Sequence, residues 1–318
     1  MSANTASVVI CTLNRPDDIQ RCVSSLARQN RTPLQIIIVD AGDLGSIEVK
    51  LHSACDAANI EFLYLKDAPS TTRQRNKGSE AVKGDVVFFL DDDVELDPGY
   101  IETILGIYDG DRRNIIGGVT GVQEDQVPST SGFWRLFCRV FFLADTRVDV
   151  SPRMKPSNFP VHTTGLTQIR KCELMPSTAV SYRINVFRKY FFDRDLTGYV
   201  MAEDLDLAYR VSRDYQLMVV PGATYRHSKS PVSRNSVRES EMRRVLFTQY
   251  FFRKNLGGSA RNWFARYWAL CGMLIRYSYL AIRSGNADRV KGLVDGMRAA
   301  ARNGILWPGR FVPGPLVH

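Results

Sequence analysis

Three consecutive aspartates, Asp91, Asp92 and Asp93, follow the apolar run 86–90 in this chain of 318 residues. Adjacent carboxylates repel one another, and a divalent cation is the usual remedy for that repulsion. Mg²⁺ or Mn²⁺ held by one or two of these carboxylates would bridge to a diphosphate. The alternative interpretation is a solvated turn that begins a helix, because aspartate favours such positions.

A second group of acids, Glu203, Asp204 and Asp206, occurs more than a hundred residues later. On a helix, Asp206 and Arg210 would be four residues apart, which favours an ion pair. Glu203 and Asp204 would then lie at the helix N-terminus, where negative charge is stabilised. Helix capping alone explains acids in a first turn, but it does not explain a second carboxylate pair in a chain that already has one.

One histidine and two arginines accompany these acids. His227 follows the short apolar run 217–220 and a Pro-Gly turn. A lone histidine is more often structural, but near a carboxylate pair it is a candidate metal ligand. Arg73 and Arg75 precede the aspartates and suit bidentate phosphate binding, unless they only begin a surface helix.

The apolar runs around these residues predict alternating strands and helices. Four runs are typical of buried strands, with helical segments between them: residues 7–11, 35–40, 61–65 and 86–90. This order implies a mostly parallel sheet with helices on both faces. Ligands bind at the carboxyl ends of such strands. Because Asp40 and the three aspartates end two of these runs, we expect a site at this edge of the sheet.

The rest of the chain is less regular. The pattern predicts a helix over about 97–108, strands over 115–122, 175–182 and 217–220, and a helix within 199–214. Aromatic residues at helical spacing, followed by a Pro-rich stretch, lie within 123–170. Beyond residue 230 the pattern is helical and basic. We therefore expect an α/β domain over residues 1–230 and a helical basic region over 231–318.

The formal charge of +9 is unevenly distributed. Residues 226–318 carry 17 Lys and Arg against 4 Asp and Glu, a net charge of +13, so the remainder carries −4. A basic tail on a mildly acidic domain indicates an anionic partner, such as a membrane surface, a pyrophosphate-bearing lipid or a nucleic acid. A solvated helical face is the alternative.

Residues 262–283 are rich in aromatic and aliphatic side chains but contain Arg266, Arg276 and Arg283. Three arginines argue against a spanning helix. An interfacial amphipathic helix, with Trp and Tyr on one face and Arg on another, fits better, and a core helix is the alternative. We expect peripheral association with an anionic membrane surface and a lipid-linked acceptor.

Cysteine usage and the first residues bear on the compartment. Six scattered cysteines without a C-x-x-C pair favour free thiols in a reducing setting. The start lacks the charged and apolar regions of a signal peptide. The expected location is cytoplasmic, with peripheral binding to the inner face of the cell membrane if the basic tail binds lipid.

Taken in order, these motifs resemble the inverting family 2 glycosyltransferases, whose fold is GT-A, a Rossmann-like α/β fold. The resemblance covers roughly residues 7–230, and its motifs keep the order and gaps of the family. They are residues 9–15 (VICTLNR), 39–40 (VD), 75–78 (RNKG), 89–94 (FLDDDV), 203–207 (EDLDL) with Arg210, and Pro221 with His227.

For the nucleotide-sugar donor, the resemblance implies a pocket built from the motifs before residue 95. Asp40 would contact the base or ribose, and Arg75 would reach the diphosphate. The implied donor-binding residues are Thr12, Asn14, Arg15, Asp40, Arg75, Asp91 and Asp92.

For the reaction, the resemblance implies a metal-dependent single displacement with inversion. Asp204 would be the general base, with Glu203 beside it as the second catalytic candidate. Asp93, Asp91 and His227 would hold Mg²⁺ or Mn²⁺, with Asp93 as the main ligand.

Two departures from the family pattern bear on specificity. Cys11 stands where the family often has Pro, and Ala41 where it often has a second Asp. Without the second acid, the pattern says less about which base is recognised. It favours a UDP-sugar over a thymidine analogue but does not determine the choice. The Gln-x-x-Arg-Trp motif of processive members is absent, which favours addition of one sugar to a carbohydrate or lipid-linked acceptor. The implied setting is bacterial polysaccharide or glycolipid assembly.

Two other functions stay open at this point. A nucleotidyltransferase that makes nucleotide sugars also uses metal-binding acids on an α/β sheet, but residues 12–15 lack the glycines of its phosphate loop. A nucleic-acid-binding protein without enzymatic activity would account for the basic tail. The tail has no helix-turn-helix or zinc module, and without a metal the acids would repel phosphates, so a nucleic acid is not the favoured partner.

Overall fold

The chain folds around a nine-stranded sheet built from residues 6–227. The computed structural model describes residues 3–124, 132–146, 149–162, 165–198, 200–228 and 236–309, with residues 314 and 316. The strands are Ala6–Thr12 (β1), Gln35–Asp40 (β2), Glu61–Lys66 (β3), Val86–Asp91 (β4), Val94–Leu96 (β5), Ile116–Gln123 (β6), Arg153–Met154 (β7), Pro160–Val161 (β8), Arg170–Cys172 (β9), Ala179–Arg183 (β10) and Gln216–His227 (β11).

Helices lie on both faces of this sheet and in a C-terminal group. They are Pro16–Ala27 (α1), Ile47–Ala57 (α2), Thr71–Glu80 (α3), Tyr100–Gly110 (α4), Gly132–Phe141 (α5), Ile184–Tyr190 (α6), Glu203–Val211 (α7), Val237–Asn255 (α8), Ala260–Ser284 (α9) and Asp288–Arg302 (α10).

The strand order is β3-β2-β1-β4-β10-β6-β11-β5, with β9 also paired to β11, while β7 and β8 pair separately. Strands β1 to β4 are mutually parallel, and β6 and β11 pair in parallel. Strand β10 runs antiparallel between β4 and β6, and β5 and β9 run antiparallel to β11. The predicted mostly parallel sheet with helices on both faces is confirmed.

Alternate residues of each central strand supply two separate cores. In β1, Val8 and Ile10 face a cluster completed by α1, α2 and α4. Val9 points to the opposite face, where the packing residues come from α6 and α7. Because both faces are covered, the strands are continuously apolar, which explains why they could be predicted from sequence.

The strand predicted over 217–220 is part of β11, but the Pro-Gly turn predicted after it is wrong. Strand β11 continues from Gln216 to His227 through Pro221 and Gly222. The chain accommodates the proline with an irregularity between Val219 and Thr224, where the pairing with β6 shifts register. This longer strand carries His227 back towards the aspartates.

Other boundaries differ by smaller amounts. The strand predicted over 175–182 begins at Ala179, and the helix predicted within 199–214 begins at Glu203. Residue 199 lies outside the described residues. The aromatic residues at helical spacing form α5. Strand β5 was not predicted, because only three residues separate the aspartates from the next turn.

The C-terminal helices pack against the sheet domain. Leu246, Phe247 and Tyr250 of α8 share a buried cluster with Leu196 and Val200. The predicted domain boundary near residue 230 falls within 229–235, outside the described residues, and it stays a prediction. Across the described ranges, we find no helix that combines the length and the apolar character needed to cross a membrane.

Candidate active site

Three neighbouring strands end together at one edge of the sheet. Strand β1 lies between β2 and β4, and its register pairs Thr12 with Asp40 and Cys11 with Asp91. The sequence placed Asp40 and the aspartates at the ends of separate apolar runs. The register shows that these ends are adjacent at one edge of the sheet.

A candidate metal site lies beyond the end of β4. Asp91, Asp93 and His227 each offer a ligand atom, and these atoms lie within 4.8 Å of one another. His227 reaches this place because β11 pairs with β5, opposite Val94. Its Nε2 lies 3.0 Å from Asp93 Oδ1, and the Ser228 amide donates to the Asp93 carbonyl at 3.0 Å. These are the three residues that the sequence predicted as metal ligands.

Asp92, by contrast, points into the protein. Its carboxylate accepts hydrogen bonds from Thr12 Oγ1 at 2.7 Å and from Arg15 Nη1 at 2.9 Å. Burial raises the pKa of Asp92 to about 6, although Arg15 opposes this rise. Hydrogen bonds thus join three predicted donor-site residues, and Asp92 orients the side chains of Thr12 and Arg15.

Asn14 shapes the loop after β1. It has a φ of 55°, in the left-handed region that asparagine tolerates better than most residues. Its Oδ1 accepts from the amide of Asp43 at 3.3 Å. A Cβ on Gly42 would lie 2.2 Å from Asn14 Oδ1, so this contact requires glycine.

Asp40 is buried and held by three donors. It accepts from Tyr64 Oη at 2.7 Å, from Lys66 Nζ at 3.0 Å and from the Gly42 amide at 2.7 Å. These bonds fix the loop after β2. The predicted contact of Asp40 with a base or ribose stays a prediction.

Gln74 is a positioning residue that the sequence did not single out. Its Nε2 donates to the carbonyls of Thr12 at 3.2 Å and Val39 at 2.8 Å, so it ties the ends of β1 and β2 together. No local sequence pattern identifies such a role, because both acceptors are backbone groups distant in sequence.

Arg75 links the two groups of acids. Its Nη2 donates to Asp91 at 2.8 Å, its Nη1 donates to Glu203 at 2.9 Å, and its guanidinium lies 5.2 Å from the ring centroid of Phe192. The side chain is only 3% exposed, so the guanidinium serves first as a buried bridge between α3, β4 and α7. Arg73 instead pairs with Asp67 at the surface. The predicted contact of Arg75 with a diphosphate stays a prediction.

The acids of α7 differ in their surroundings. Burial raises the pKa of Glu203 to about 7, helped by the charge of Asp204 and opposed by Arg75. Asp206 accepts from Arg210 at 2.8 Å, as predicted, and also from Lys254 and Asn255 of α8. Asp206 is therefore a structural link between α7 and α8.

Asp204 is partly exposed and has another kind of environment. Its carboxylate accepts from the backbone amides of Ser177 at 3.2 Å and Leu205 at 2.7 Å, and no cation of the described residues forms a salt bridge with it. The residue before α7, Ala202, has a φ of 70°, a conformation that costs free energy in a residue other than glycine. Within the described part of the chain, amides thus orient this carboxylate and no salt bridge holds it.

A cleft of about 280 Å³ lies near this carboxylate, whose charge opposes the burial that lowers the pKa of the lining residue His162. Its walls include Pro176, which precedes the residue whose amide binds Asp204, and Tyr225, two residues before His227. Gln123, Glu124 and His162 also line it. The sequence did not predict that Gln123, Glu124 and His162 line a cleft, because the pattern within residues 123–170 is irregular.

The comparisons with known proteins agree with this geometry. Residues 7–159 match a sequence model of the family Glycosyl transferase family 2. An uncharacterized glycosyltransferase, YibD, from Escherichia coli is 34% identical over 105 residues, which are 33% of this chain and 30% of that protein. The glucosyl-dolichyl phosphate glucuronosyltransferase of Haloferax volcanii is 32% identical over 131 residues, 37% of this chain and 38% of that protein. The chain thus spans about a third of the length of these curated relatives.

Among solved structures, the mannosyltransferase PcManGT from Pyrobaculum calidifontis, in complex with GDP-Man and Mn²⁺, superposes with a TM-score of 0.56 at 13% identity. The alignment covers 94% of this chain and 81% of that one. At this identity the likeness establishes the fold, which is GT-A. Over residues 7–159 the sequence matches glycosyl transferase family 2, and the fold is that of GT-A glycosyltransferases.

Proposed function

We propose that the protein transfers one sugar from a nucleoside-diphosphate sugar to an acceptor hydroxyl with inversion, and that a UDP-sugar is the donor. One observation carries this proposal. The cluster of Asp91, Asp93 and His227 is joined through Arg75 to α7, where Asp204 has no salt bridge among the described residues. A metal-binding half and a proton-accepting half therefore meet at one sheet edge.

The donor set fits a divalent cation. Two carboxylates and an imidazole suit Mn²⁺, and the carboxylates also suit Mg²⁺. Asp91, Asp93 and His227 would hold the ion, which when bound would stabilise negative charge on the leaving diphosphate. Burial raises the pKa of Asp91 despite the nearby Arg75, as expected for acids gathered where a cation is needed. The solved relative from Pyrobaculum calidifontis is bound to Mn²⁺.

The nucleotide would lie along the ends of β1 and β2. Thr12, Asn14 and Arg15 form the loop that faces this edge, and Asp92 fixes two of them. Asp40 and Arg75 complete the proposed donor site, the first near the base or ribose and the second near the diphosphate. The buried bonds of these residues support pre-organisation of the pocket.

Asp204 is the proposed general base, with Glu203 as the second candidate. The acceptor oxygen gives its proton to the Asp204 carboxylate as it bonds to the anomeric carbon. The bond from that carbon to the diphosphate oxygen breaks, and the nucleoside diphosphate leaves with the electron pair. Attack from the face opposite the leaving group inverts the configuration, and no covalent glycosyl-enzyme is needed.

The acceptor would enter the cleft between Gln123, His162 and Tyr225, since this cleft lies near Asp204. Its volume is near the lower end for ligand pockets. The proposed acceptor is a carbohydrate or a lipid-linked sugar of bacterial polysaccharide or glycolipid assembly. The proposed location is the cytoplasm, with peripheral attachment to the inner face of the membrane.

A panel of nucleotide sugars tests the reaction. We expect slow Mn²⁺-dependent hydrolysis of one UDP-sugar, loss of this activity in EDTA, and recovery with Mn²⁺ or Mg²⁺. The same nucleoside diphosphate should raise the thermal stability of the protein when Mn²⁺ is present. Release of pyrophosphate from a sugar phosphate and a nucleoside triphosphate would instead identify a nucleotidyltransferase. Binding of nucleic acid without any nucleotide-sugar turnover would reject both enzymes.

A further inference from the structure

Helices α5 and α9 pack against each other. Trp268 Nε1 donates to the Val140 carbonyl at 2.8 Å, and the Trp268 and Phe141 rings stack at 5.3 Å. The guanidinium of Arg276 lies 4.0 Å from the ring centroid of Trp134. A Cβ on Gly272 would lie 2.5 Å from Phe141, so glycine is what permits this close approach. The two helices therefore present one continuous outer surface.

Among the described residues, many apolar side chains of this outer surface are exposed. Phe264 is 73% exposed and Ile282 is 86% exposed, and Phe133 of α5 is 77% exposed. We name this the α5–α9 face, and it consists of the exposed side chains of Phe133, Leu136, Val140, Phe264, Trp268, Ile275, Tyr279 and Ile282. Exposed apolar side chains gathered on two packed helices are typical of an interaction site.

The helical periodicity shows that the α9 part is a single stripe. Phe264, Trp268, Ile275 and Ile282 recur at intervals of four and seven residues, so they lie on one side of the helix. From Phe264 to Ile282 the stripe is about 27 Å long at the usual rise per residue. The opposite side of α9, including Trp263 and Ala269, packs into the protein. One side of α9 therefore belongs to the core, while the interfacial interpretation stays a prediction for the exposed side.

The two helices that form the face carry charge of one sign only. Helices α5 and α9 contain six arginines and no Asp, Glu or Lys. Arg135, Arg139, Arg261 and Arg283 are exposed, and Arg283 lies about a quarter turn from the stripe. Arg266 departs from the expectation of arginines on an outer face. It is buried, donates to Gln249 Oε1 at 2.9 Å, and burial lowers its pKa to about 9.

The positive charge of α5 and α9 bears on two candidate occupants of the face, which are a second copy of the chain and an anionic bilayer. A second copy of the chain would bring arginines towards arginines with no carboxylate on either helix to compensate. A bilayer that contains anionic lipid would accept the apolar stripe between its headgroups and the flanking arginines near its phosphates. We propose that the α5–α9 face docks on an anionic bilayer surface, with the stripe lying in the plane of the interface.

The face is also connected to the cleft near Asp204. Val161 packs in the cluster with Cys138 and Ala269 beneath the face, and the next residue, His162, lines the cleft. Docking would therefore bring the cleft close to the lipid surface, where it would meet an acceptor carried by a lipid. This last consequence rests on the proposed sugar transfer, whereas the docking surface does not.

Flotation with vesicles tests the docking surface without any assay of transfer. The full chain should float with vesicles of phosphatidylcholine mixed with phosphatidylglycerol, and this binding should weaken in high salt. Ile275→Asp and Ile282→Asp should each lower the partition coefficient by about tenfold or more, because each removes an apolar side chain from the interface. Arg261→Gln and Arg283→Gln should each lower it by about fivefold at low salt.

The matched control is Val49→Asp, which places the same charge on an exposed apolar position of α2, 69% exposed and outside the face. It should float like the unchanged protein, and melting temperatures should be similar for all variants. Failure of the unchanged protein to float at low salt, or equal flotation of the Asp variants, would overturn the proposal. A dimer in lipid-free sedimentation that Ile275→Asp converts to a monomer would identify a contact between two copies instead.

Discussion

The two groups of acids at the sheet edge differ in how far the protein neutralises them. Every member of the first group has a basic or imidazole partner: Asp91 pairs with Arg75, Asp92 with Arg15, and Asp93 with His227. In the second group, Glu203 and Asp206 are paired with arginines, but Asp204 receives only backbone amides within the described residues.

This difference separates carboxylates that are held in place from one that is available. A carboxylate whose oxygens already accept from a guanidinium is less available to an acceptor hydroxyl, even where burial raises its pKa, as it does for Glu203. Within the described residues, Asp204 has no such cationic partner, and backbone amides orient it. The comparison therefore points to Asp204 as the base and to the first group as the place for a cation, and each part of this contrast is open to test.

The largest expected effect comes from the unpaired carboxylate. Asp204→Asn keeps the shape of the side chain but removes its basicity, so kcat for transfer should fall by about 10²- to 10⁴-fold. Binding of the donor should change little, because Asp204 is proposed to act on the acceptor. Initial rates and calorimetric titration with the nucleoside diphosphate measure the two quantities separately.

The matched control is Asp214→Asn, since Asp214 is exposed and bonds to Lys189 and Tyr190 away from the site. It should transfer sugar at the unchanged rate. If Asp204→Asn retained full activity, the unpaired carboxylate would not be the base, and Glu203 would take its place.

The next effect concerns the first group as a cation site. Asp93→Asn replaces one of three clustered ligand groups, and Mn²⁺ should bind more than about 100-fold more weakly, because even supporting residues around a metal account for up to that factor. Calorimetric titration with Mn²⁺ alone gives the affinity. Asp43→Asn, in the exposed loop after β2, is the control and should bind Mn²⁺ normally. Equal affinities for both variants would show that the cluster does not hold the ion.

The sequence predicts the strands that end at this site better than it predicts which distant residues contact one another there. The run 86–90 was identified because a parallel strand covered on both faces is continuously apolar. The contact of His227 with Asp93 depends on the pairing of β5 with β11, which joins residues about 130 positions apart. Both the residues and the resemblance to a family identified His227 as a candidate ligand, but neither predicted that pairing.

Arg75 shows a second limit of sequence reasoning. Its position before the aspartates fits phosphate binding, and nothing local reveals that Glu203 lies 2.9 Å away in the folded chain. Burial depends on the whole fold, so a buried bridge and a surface phosphate ligand have the same sequence pattern. Sequence also leaves two interpretations of α9, because its apolar residues are compatible with a core helix and with an interfacial helix.

The bridge itself gives the third prediction. Arg75→Met should destabilise the protein by about 3–5 kcal/mol, because it leaves Asp91 and Glu203 buried without their shared cation. Lys83→Met is the control, since the side chains of Lys83 and its partner Glu61 are both exposed, and it should change stability by less than about 1 kcal/mol. Urea denaturation of the metal-free variants measures both. Similar losses for both variants would mean that the bridge adds nothing beyond a surface pair.

The smallest effect is a pH dependence within the second group. Burial raises the pKa of Glu203 from its ordinary value of 4.5 to about 7 in the folded protein, so the folded form keeps a proton that the unfolded chain has lost over that range. The contribution of this group to stability is therefore complete below about pH 4.5 and is lost as the pH rises through about 7. Glu203→Gln cannot titrate and should not show this loss. From about pH 5 to about pH 8, the metal-free unchanged protein should lose on the order of 2–3 kcal/mol relative to the variant, measured by urea denaturation in EDTA. Parallel stability curves for the two proteins would show that Glu203 ionises normally, and the contrast with Asp204 would then rest on pairing alone.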